Sequence, residues 1–200
     1  MVAGQRKLMH VRVLLSALFG LVLCGATDDV RPPDARSAHD KIRVLRTGKP
    51  PAGTRILLSG SELRAWVQDE AAYWASFGAT NLRFTLAQGR ATAVGDINFL
   101  KAHKAATGQE ANWLLKNLFS GTRPISVTAR FSSAGGKGRV DVERVEVNGI
   151  SVEGVALDYL IQGYVKPNFP DARVSEWFPM DFQVDHFTVA PSGVIVVIGK

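Results

Sequence analysis

The chain has 200 residues, 46% of them apolar, with a formal net charge of +6 and a single cysteine. Its length and apolar content are sufficient for one folded domain with a substantial core, and one cysteine excludes an intramolecular disulfide. Basic residues are scattered among acidic ones, so no nucleic-acid partner is expected.

The first 26 residues have the pattern of an export signal. Three cations, Arg6, Lys7 and Arg12, precede an apolar run over residues 13–23 that is short for a membrane span. Small residues follow, and cleavage after Ala26 would leave a mature chain of 174 residues whose net charge, without the three cations, is +3. The predicted location is therefore the periplasm or cell envelope.

Two alternatives for this segment stay open, an uncleaved membrane anchor and a lipoprotein modified at Cys24. The residues before Cys24 resemble a bacterial lipobox, but Leu23 stands where that motif has a small residue. Loose peripheral contact with anionic membrane lipids is compatible with the mild positive charge.

Residues 27–54 form a charged lead-in with prolines at both ends, and we expect a flexible tether there. A brief edge strand over Lys41–Arg46 is the alternative, although the flanking prolines restrict its extent. The folded domain is expected to occupy residues 55–200.

A capping box at Ser59–Glu62 predicts a helix, and apolar residues at helical spacing extend it towards Gly78. Alternation then predicts a hairpin of residues 82–87 and 90–99, followed by a second helix over Glu110–Phe119. The apolar face of the first helix consists of Leu63, Trp66, Val67, Ala71 and Trp74.

A second hairpin pairs residues 125–131 with 139–147, and a shift of the alternation places a β-bulge near Glu143. Asn148-Gly149 predicts a tight turn, after which residues 157–165 form a third helix. A third hairpin joins residues 182–189 to the apolar strand 194–198, which we expect to be central in its sheet or covered. The predicted fold is α+β, a curved and largely antiparallel sheet of three hairpins packed around amphipathic helices.

Catalytic and metal signatures are weak. The histidines are far apart in the sequence, so no metal site and no cofactor are expected. Asp181, Asp185 and His186 are close together, but in a regular strand Asp185 and His186 point to opposite faces, which places His186 on the solvent side. The glycine-rich segment 135–138 is typical of a hairpin turn, because no helix follows it to bind phosphate.

Aromatic and aliphatic residues are the better candidates for function. A groove between the sheet and the helices would take up an acyl chain through the hydrophobic effect, although the same side chains could simply fill a core. Trp113 lies off the apolar face of its predicted helix, and Phe169 and Trp177 lie in a loop broken by prolines. These three residues are candidates for contact with a membrane or a protein partner. The candidate lining residues are Leu63, Trp66, Trp74, Phe84, Leu86, Phe131, Leu160 and Tyr164.

Three segments together suggest a family resemblance. Ser59–Leu63 opening a helix, Asn81–Leu86 before a glycine turn, and Gly138–Val142 running into Val147–Val152 resemble small exported bacterial lipid-binding proteins of the tubular lipid-binding (TULIP-like) type. The similarity covers about residues 55–198. It implies a helix cradled by a curved sheet and a lipid or glycolipid ligand, and it supplies no catalytic residue.

The leading hypothesis is therefore a non-catalytic envelope protein that binds or shuttles a lipid or another amphiphile. The alternative is an envelope assembly or scaffolding protein with a dry core, which docks a protein partner through the loop around Phe169 and Trp177. An enzyme is the less favoured class.

Overall fold

A computed structural model describes residues 32–110, 113, 116, 120–162 and 174–199. The signal segment, with Cys24, and the residues Tyr164 and Phe169 lie outside this part of the chain. The helices are α1 Pro32–Thr47, α2 Gly60–Asp69, α3 Ala71–Ser76, α4 Phe99–Thr107 and α5 Gly154–Leu160. The strands are β1 Arg55–Ser59, β2 Ala79–Ala87, β3 Arg90–Asn98, β4 Thr122–Ala134, β5 Lys137–Val147, β6 Ile150–Ser151, β7 Trp177–Pro179, β8 Val184–Ala190 and β9 Gly193–Ile198.

The α+β fold with largely antiparallel strands is confirmed. The three predicted hairpins are divided between two sheets. The larger sheet has the order β2-β3-β4-β5-β6, with β7 paired to the start of β5, and the smaller sheet has the order β1-β9-β8. The last strand is central, as its apolar sequence predicted.

The smaller sheet lies across the hairpin tips of the larger one. The Gly89 amide donates to the Val189 carbonyl over 2.9 Å, and the Gly136 amide donates to the Asp185 carbonyl over 2.7 Å. Between them, the Ser133 hydroxyl donates to the carbonyl of Phe187 and accepts from its amide, both at 2.7 Å. The outer edge of β8 is thus bonded to the larger sheet.

The bulge predicted near Glu143 is confirmed. Thr128 lies opposite Arg144, whereas the next residue, Ala129, lies opposite Val142, so Glu143 is the extra residue. The bulge keeps Val142 and Val145 on the same face of the sheet.

The expectation of a flexible lead-in is wrong for residues 32–47, which form α1 in place of a tether or of an edge strand at Lys41–Arg46. Prolines at the first positions do not break a helix, because their fixed φ suits its first turn and the amide they lack has no helical acceptor there. Ala38, Ile42 and Leu45 recur on one face of α1 and are buried.

Three other elements differ from the sequence predictions. The helix after Ser59 is interrupted at Glu70, which separates α2 from α3. The strand expected to reach Phe99 ends at Asn98, whose side chain accepts from the Lys101 amide and caps α4; His103 therefore lies in a helix. Trp177, expected in a loop, lies in β7.

Candidate functional site: the apolar interior and the first helix

The apolar interior lies between the larger sheet, the smaller sheet and the helices α1 and α2. It is the contiguous cluster formed by Ile42, Leu45, Leu58, Leu63, Val67, Phe84, Ala91, Ala129, Phe131, Val140, Phe187, Val189, Val194, Val196 and Ile198. Every side chain in this cluster is at least nine-tenths buried. The cluster draws on both sheets, so it joins them into one core.

Six of the predicted lining residues meet at this interior. Leu63, Phe84 and Phe131 belong to it, with exposed fractions of 0%, 5% and 6%. Trp66, Trp74 and Leu86 pack against it and are half-buried. The structure thus brings these side chains together, but in this closed conformation they are core residues. A ligand would reach them only after a covering element moved.

The remaining candidates lie elsewhere. Leu160 is half-buried at the end of α5, and Tyr164 and Phe169 lie outside the described residues. Trp113 is 74% exposed and Trp177 is 47% exposed, so both are available for contact with another molecule.

Trp74, on α3, carries an unusual polar group. The residue packs against the apolar interior and contacts Tyr73 edge to face, with 5.2 Å between ring centroids. Its indole Nε1 is buried, and no acceptor within the described parts of the chain lies within hydrogen-bond distance of it. An unpaired buried donor of this kind costs about 1–3 kcal/mol, so the site is chemically suited to a ligand that supplies an acceptor.

The Glu62 cluster, which consists of Ser37, Lys41, Ser59 and Glu62, fastens α1 to the start of α2. The Lys41 ammonium donates to both Glu62 carboxylate oxygens, over 2.6 and 2.8 Å, and to the Leu57 carbonyl over 2.7 Å. The Ser37 hydroxyl and the Ser59 amide also donate to this carboxylate. The capping box is confirmed, because the Ser59 hydroxyl accepts from the Glu62 amide.

Glu62 is only 6% exposed, and its charge depends on these partners. Burial raises the pKa of the Glu62 carboxyl, but hydrogen bonds from Lys41, Ser37 and the Ser59 backbone, with the positive charge of Lys41, outweigh it. The net result is a pKa below the ordinary value of 4.5. Protonation therefore favours the unfolded chain, so the stabilisation by Glu62 is complete above pH 4.5 and is lost as the pH falls through the folded-state pKa.

A Glu62→Gln variant tests this sign. At neutral pH we expect its free energy of unfolding to be about 2–3 kcal/mol lower than that of the wild type, because Lys41 loses its counter-charge. Urea titrations should show that this difference shrinks as the pH falls below 4.5, where the wild type also becomes neutral at this position. The control is Asp40→Asn on the exposed face of α1, and a difference for Glu62→Gln that does not change with pH would contradict the assignment.

The outer face of the larger sheet carries ion pairs that the sequence did not suggest. Glu143 at the bulge accepts from the Nε atoms of Arg90 and Arg130, each over 2.7 Å, and Asp141 accepts from Arg139 over 2.9 Å. The pKa values of Glu143 and Asp141 are lowered, chiefly by hydrogen bonds from Arg90 and Arg139 respectively. Such exposed pairs contribute little to stability, and we interpret this face as a solvent-exposed surface with no binding role.

A groove of about 360 Å³ also lies on this outer face. It is lined by Asn81, Arg83, Val94, Gly95, Asp96, Pro124, Ile125, Ser126, Glu146 and Gly149. None of the predicted lining residues borders it. Its mixed charge and open shape differ from what an acyl chain requires, so we do not treat it as the candidate site.

The expectation that Asp185 and His186 point apart is wrong. Their side chains meet over 2.7 Å, because a register shift between Val184 and His186 interrupts the alternation of β8. Both side chains are more than two-fifths exposed. The described residues contain no group of three or more histidine, cysteine or acidic side chains that could hold a metal ion.

None of the helices described for this chain is both long enough and apolar enough to cross a membrane. Comparison of the chain with protein families, curated proteins and solved structures finds no match.

Proposed function

We propose that this protein binds an amphiphile, a molecule with an acyl chain and a hydrogen-bond acceptor, in its apolar interior and without catalysis. The observation that carries the proposal is the buried Trp74 indole N–H, which has no acceptor among the described residues and packs beside an otherwise apolar cluster. An ester, carboxyl or hydroxyl oxygen of a ligand would supply that acceptor, while the chain would gain from leaving water. The export signal proposed for residues 1–26 adds an envelope location, where such ligands are abundant.

The resemblance to TULIP-like lipid-binding proteins agrees with this function and remains part of the proposal. The curved antiparallel sheet packed on helices is the architecture that the resemblance implies. Three of the residues expected to line the ligand site, Leu63, Phe84 and Phe131, contribute to one continuous apolar cluster.

Native mass spectrometry of the protein, expressed from its full chain in a bacterial host, tests the proposal. We expect a discrete mass adduct that extracts into organic solvent as lipid. A bare protein, unchanged after incubation with envelope lipids, would overturn the proposal. In that case the exposed Trp113 and Trp177 would support the alternative, docking of a protein partner.

A Trp74→Phe variant tests the role of the indole. Removing one hydrogen bond to the ligand is expected to weaken the binding of cis-parinaric acid, a fluorescent fatty acid, by about 3–10-fold. The ligand-free stability should stay within about 1 kcal/mol of the wild type, because no group in the described part of the chain accepts from the lost donor. Trp177→Phe, on an exposed side chain, is the matched control, and equal affinities for all three proteins would rule out Trp74 as the donor.

A further inference from the structure

The interior is closed, so uptake of a ligand requires one of its covering elements to move. The side chains of Leu63, Phe84 and Phe131 are at least 94% buried. The strands that enclose them are held by backbone hydrogen bonds. β1 and β8 pair with β9 on either side, and β8 is also bonded to the larger sheet. None of these strands is free to leave without breaking backbone pairing.

Helix α1 is attached in a different way. Its main contacts are with α2 and β1, and its hydrogen bonds to them come from side chains. Ser37 and Lys41 bond to the Glu62 carboxylate, Lys41 bonds to the Leu57 carbonyl, and His39 meets Asp69 over 2.8 Å. Water can replace these side-chain hydrogen bonds one at a time, whereas the release of a strand requires all the backbone hydrogen bonds of its ladder to break.

The connection after α1 is neither helix nor strand. Residues 48–52 follow the helix and include Gly48, Pro50 and Pro51. Gly53 fixes the far end of this connection, because its amide donates to the Ile198 carbonyl of β9 over 2.7 Å. Rotation within residues 48–52 would move α1 and leave β1 in place.

The buried face of α1, part of which packs in the interior, indicates what could replace the helix. Ala38, Ile42 and Leu45 form a row one side chain wide and about 10 Å long, at the rise of an α-helix. A row of that width matches a single acyl chain, and a flat ring system or a paired-chain lipid would require more of the core to separate.

We propose that α1 is a displaceable cover and that a single-chain amphiphile enters the interior beneath it, an inference that rests on the proposed function. The Glu62 cluster and the His39–Asp69 contact hold the cover closed. Its opening exposes Leu63 and its neighbours, and it leaves both sheets intact.

A reversible bridge between α1 and α2 tests the proposal. We would prepare His39→Cys/Asp69→Cys in a Cys24→Ser background, which removes the natural cysteine, and join the thiols with a short bismethanethiosulfonate reagent that a reducing agent removes. The matched control is Asn81→Cys/Asp96→Cys, since these side chains also meet, over 2.7 Å, but between neighbouring strands away from α1.

The readout is the rate of uptake of cis-parinaric acid by each protein before and after reduction. We expect the α1–α2 bridge to slow uptake at least tenfold and reduction to restore it, with no effect of the control bridge. Uptake at the same rate with the α1–α2 bridge in place would show that α1 is not the displaceable cover, while the proposed function would stand. No uptake by the unbridged wild type would overturn both.

Discussion

Gly193→Ala is expected to lower the free energy of unfolding by about 3–5 kcal/mol, a large part of the stability of a domain this size. Gly193 pairs with Ser59 across the β1–β9 ladder and has a φ of +146°, a region that side-chain-bearing residues rarely adopt. A Cβ at this position would lie 2.2 Å from the Leu58 carbonyl oxygen, which belongs to the backbone and cannot rotate away. The two strands would therefore have to separate.

Thermal and urea unfolding monitored by circular dichroism would measure this loss. Gly135→Ala is the matched control, since Gly135 also has a positive φ, +53°, but a Cβ there meets no atom within 4 Å. We expect that variant to lose about 1–2 kcal/mol, from the backbone conformation alone. Similar losses of unfolding free energy for the two variants would show that the contact between the new Cβ and Leu58 does not destabilise the protein.

Lys41→Met is expected to destabilise the protein by about 3 kcal/mol, because it leaves the Glu62 carboxylate buried without its cation. Glu62 is 6% exposed and cannot turn to water without opening the contact between α1 and α2. Hydrogen bonds from Ser37 and the Ser59 amide remain, which keeps the loss at the lower end of the range for a broken buried pair. For a domain of this size, 3 kcal/mol corresponds to a fall in Tm of about 6–12 °C.

The control for this substitution is Lys49→Met, on an exposed lysine just beyond α1. The double variant Lys41→Met/Glu62→Leu should recover part of the loss, since an apolar pair leaves no charge in the interior. If Lys41→Met and Lys49→Met had the same stability, Lys41 would not be needed to compensate the charge of Glu62.

The strands were predictable because apolar and polar residues alternate along them, which indicates which face is buried. In β2, Leu82, Phe84 and Leu86 alternate with more exposed residues, and the side-chain period of a strand allows no other arrangement. The shift at Glu143 could be recognised for the same reason, because a bulge changes the phase of the alternation. The bulge at Asp185 produces a similar change of phase, since Val184 is followed by Phe187 and Val189, and the expectation that Asp185 and His186 point apart overlooked it.

Helix α1 was missed although Ala38, Ile42 and Leu45 recur at helical spacing, and the polar contacts that hold it in place are with distant partners. Lys41 is 21 residues from Glu62 and 16 from Leu57, and neither separation has a sequence signature. The capping role of Glu62 was visible, because it depends on Ser59 three residues away, but the ion pair that adds to it was not.

The candidate site was predictable in composition but not in accessibility. Apolar residues such as Phe84 and Phe131 have the same sequence pattern whether they line a groove or fill a core. Only the arrangement of covering elements distinguishes the two cases. The Trp74 N–H, which has no acceptor among the described residues, became informative only once its surroundings were known.

The pairing of β1 with β9 also bears on the order in which the molecule is built. Arg55 lies opposite Val197, so the smaller sheet joins the two ends of the described domain. A chain that emerges with its N-terminus first cannot complete this sheet until β9, the last described strand, has appeared, and closing so long a loop is slow. The strands of the larger sheet are therefore all synthesised before the smaller sheet can form.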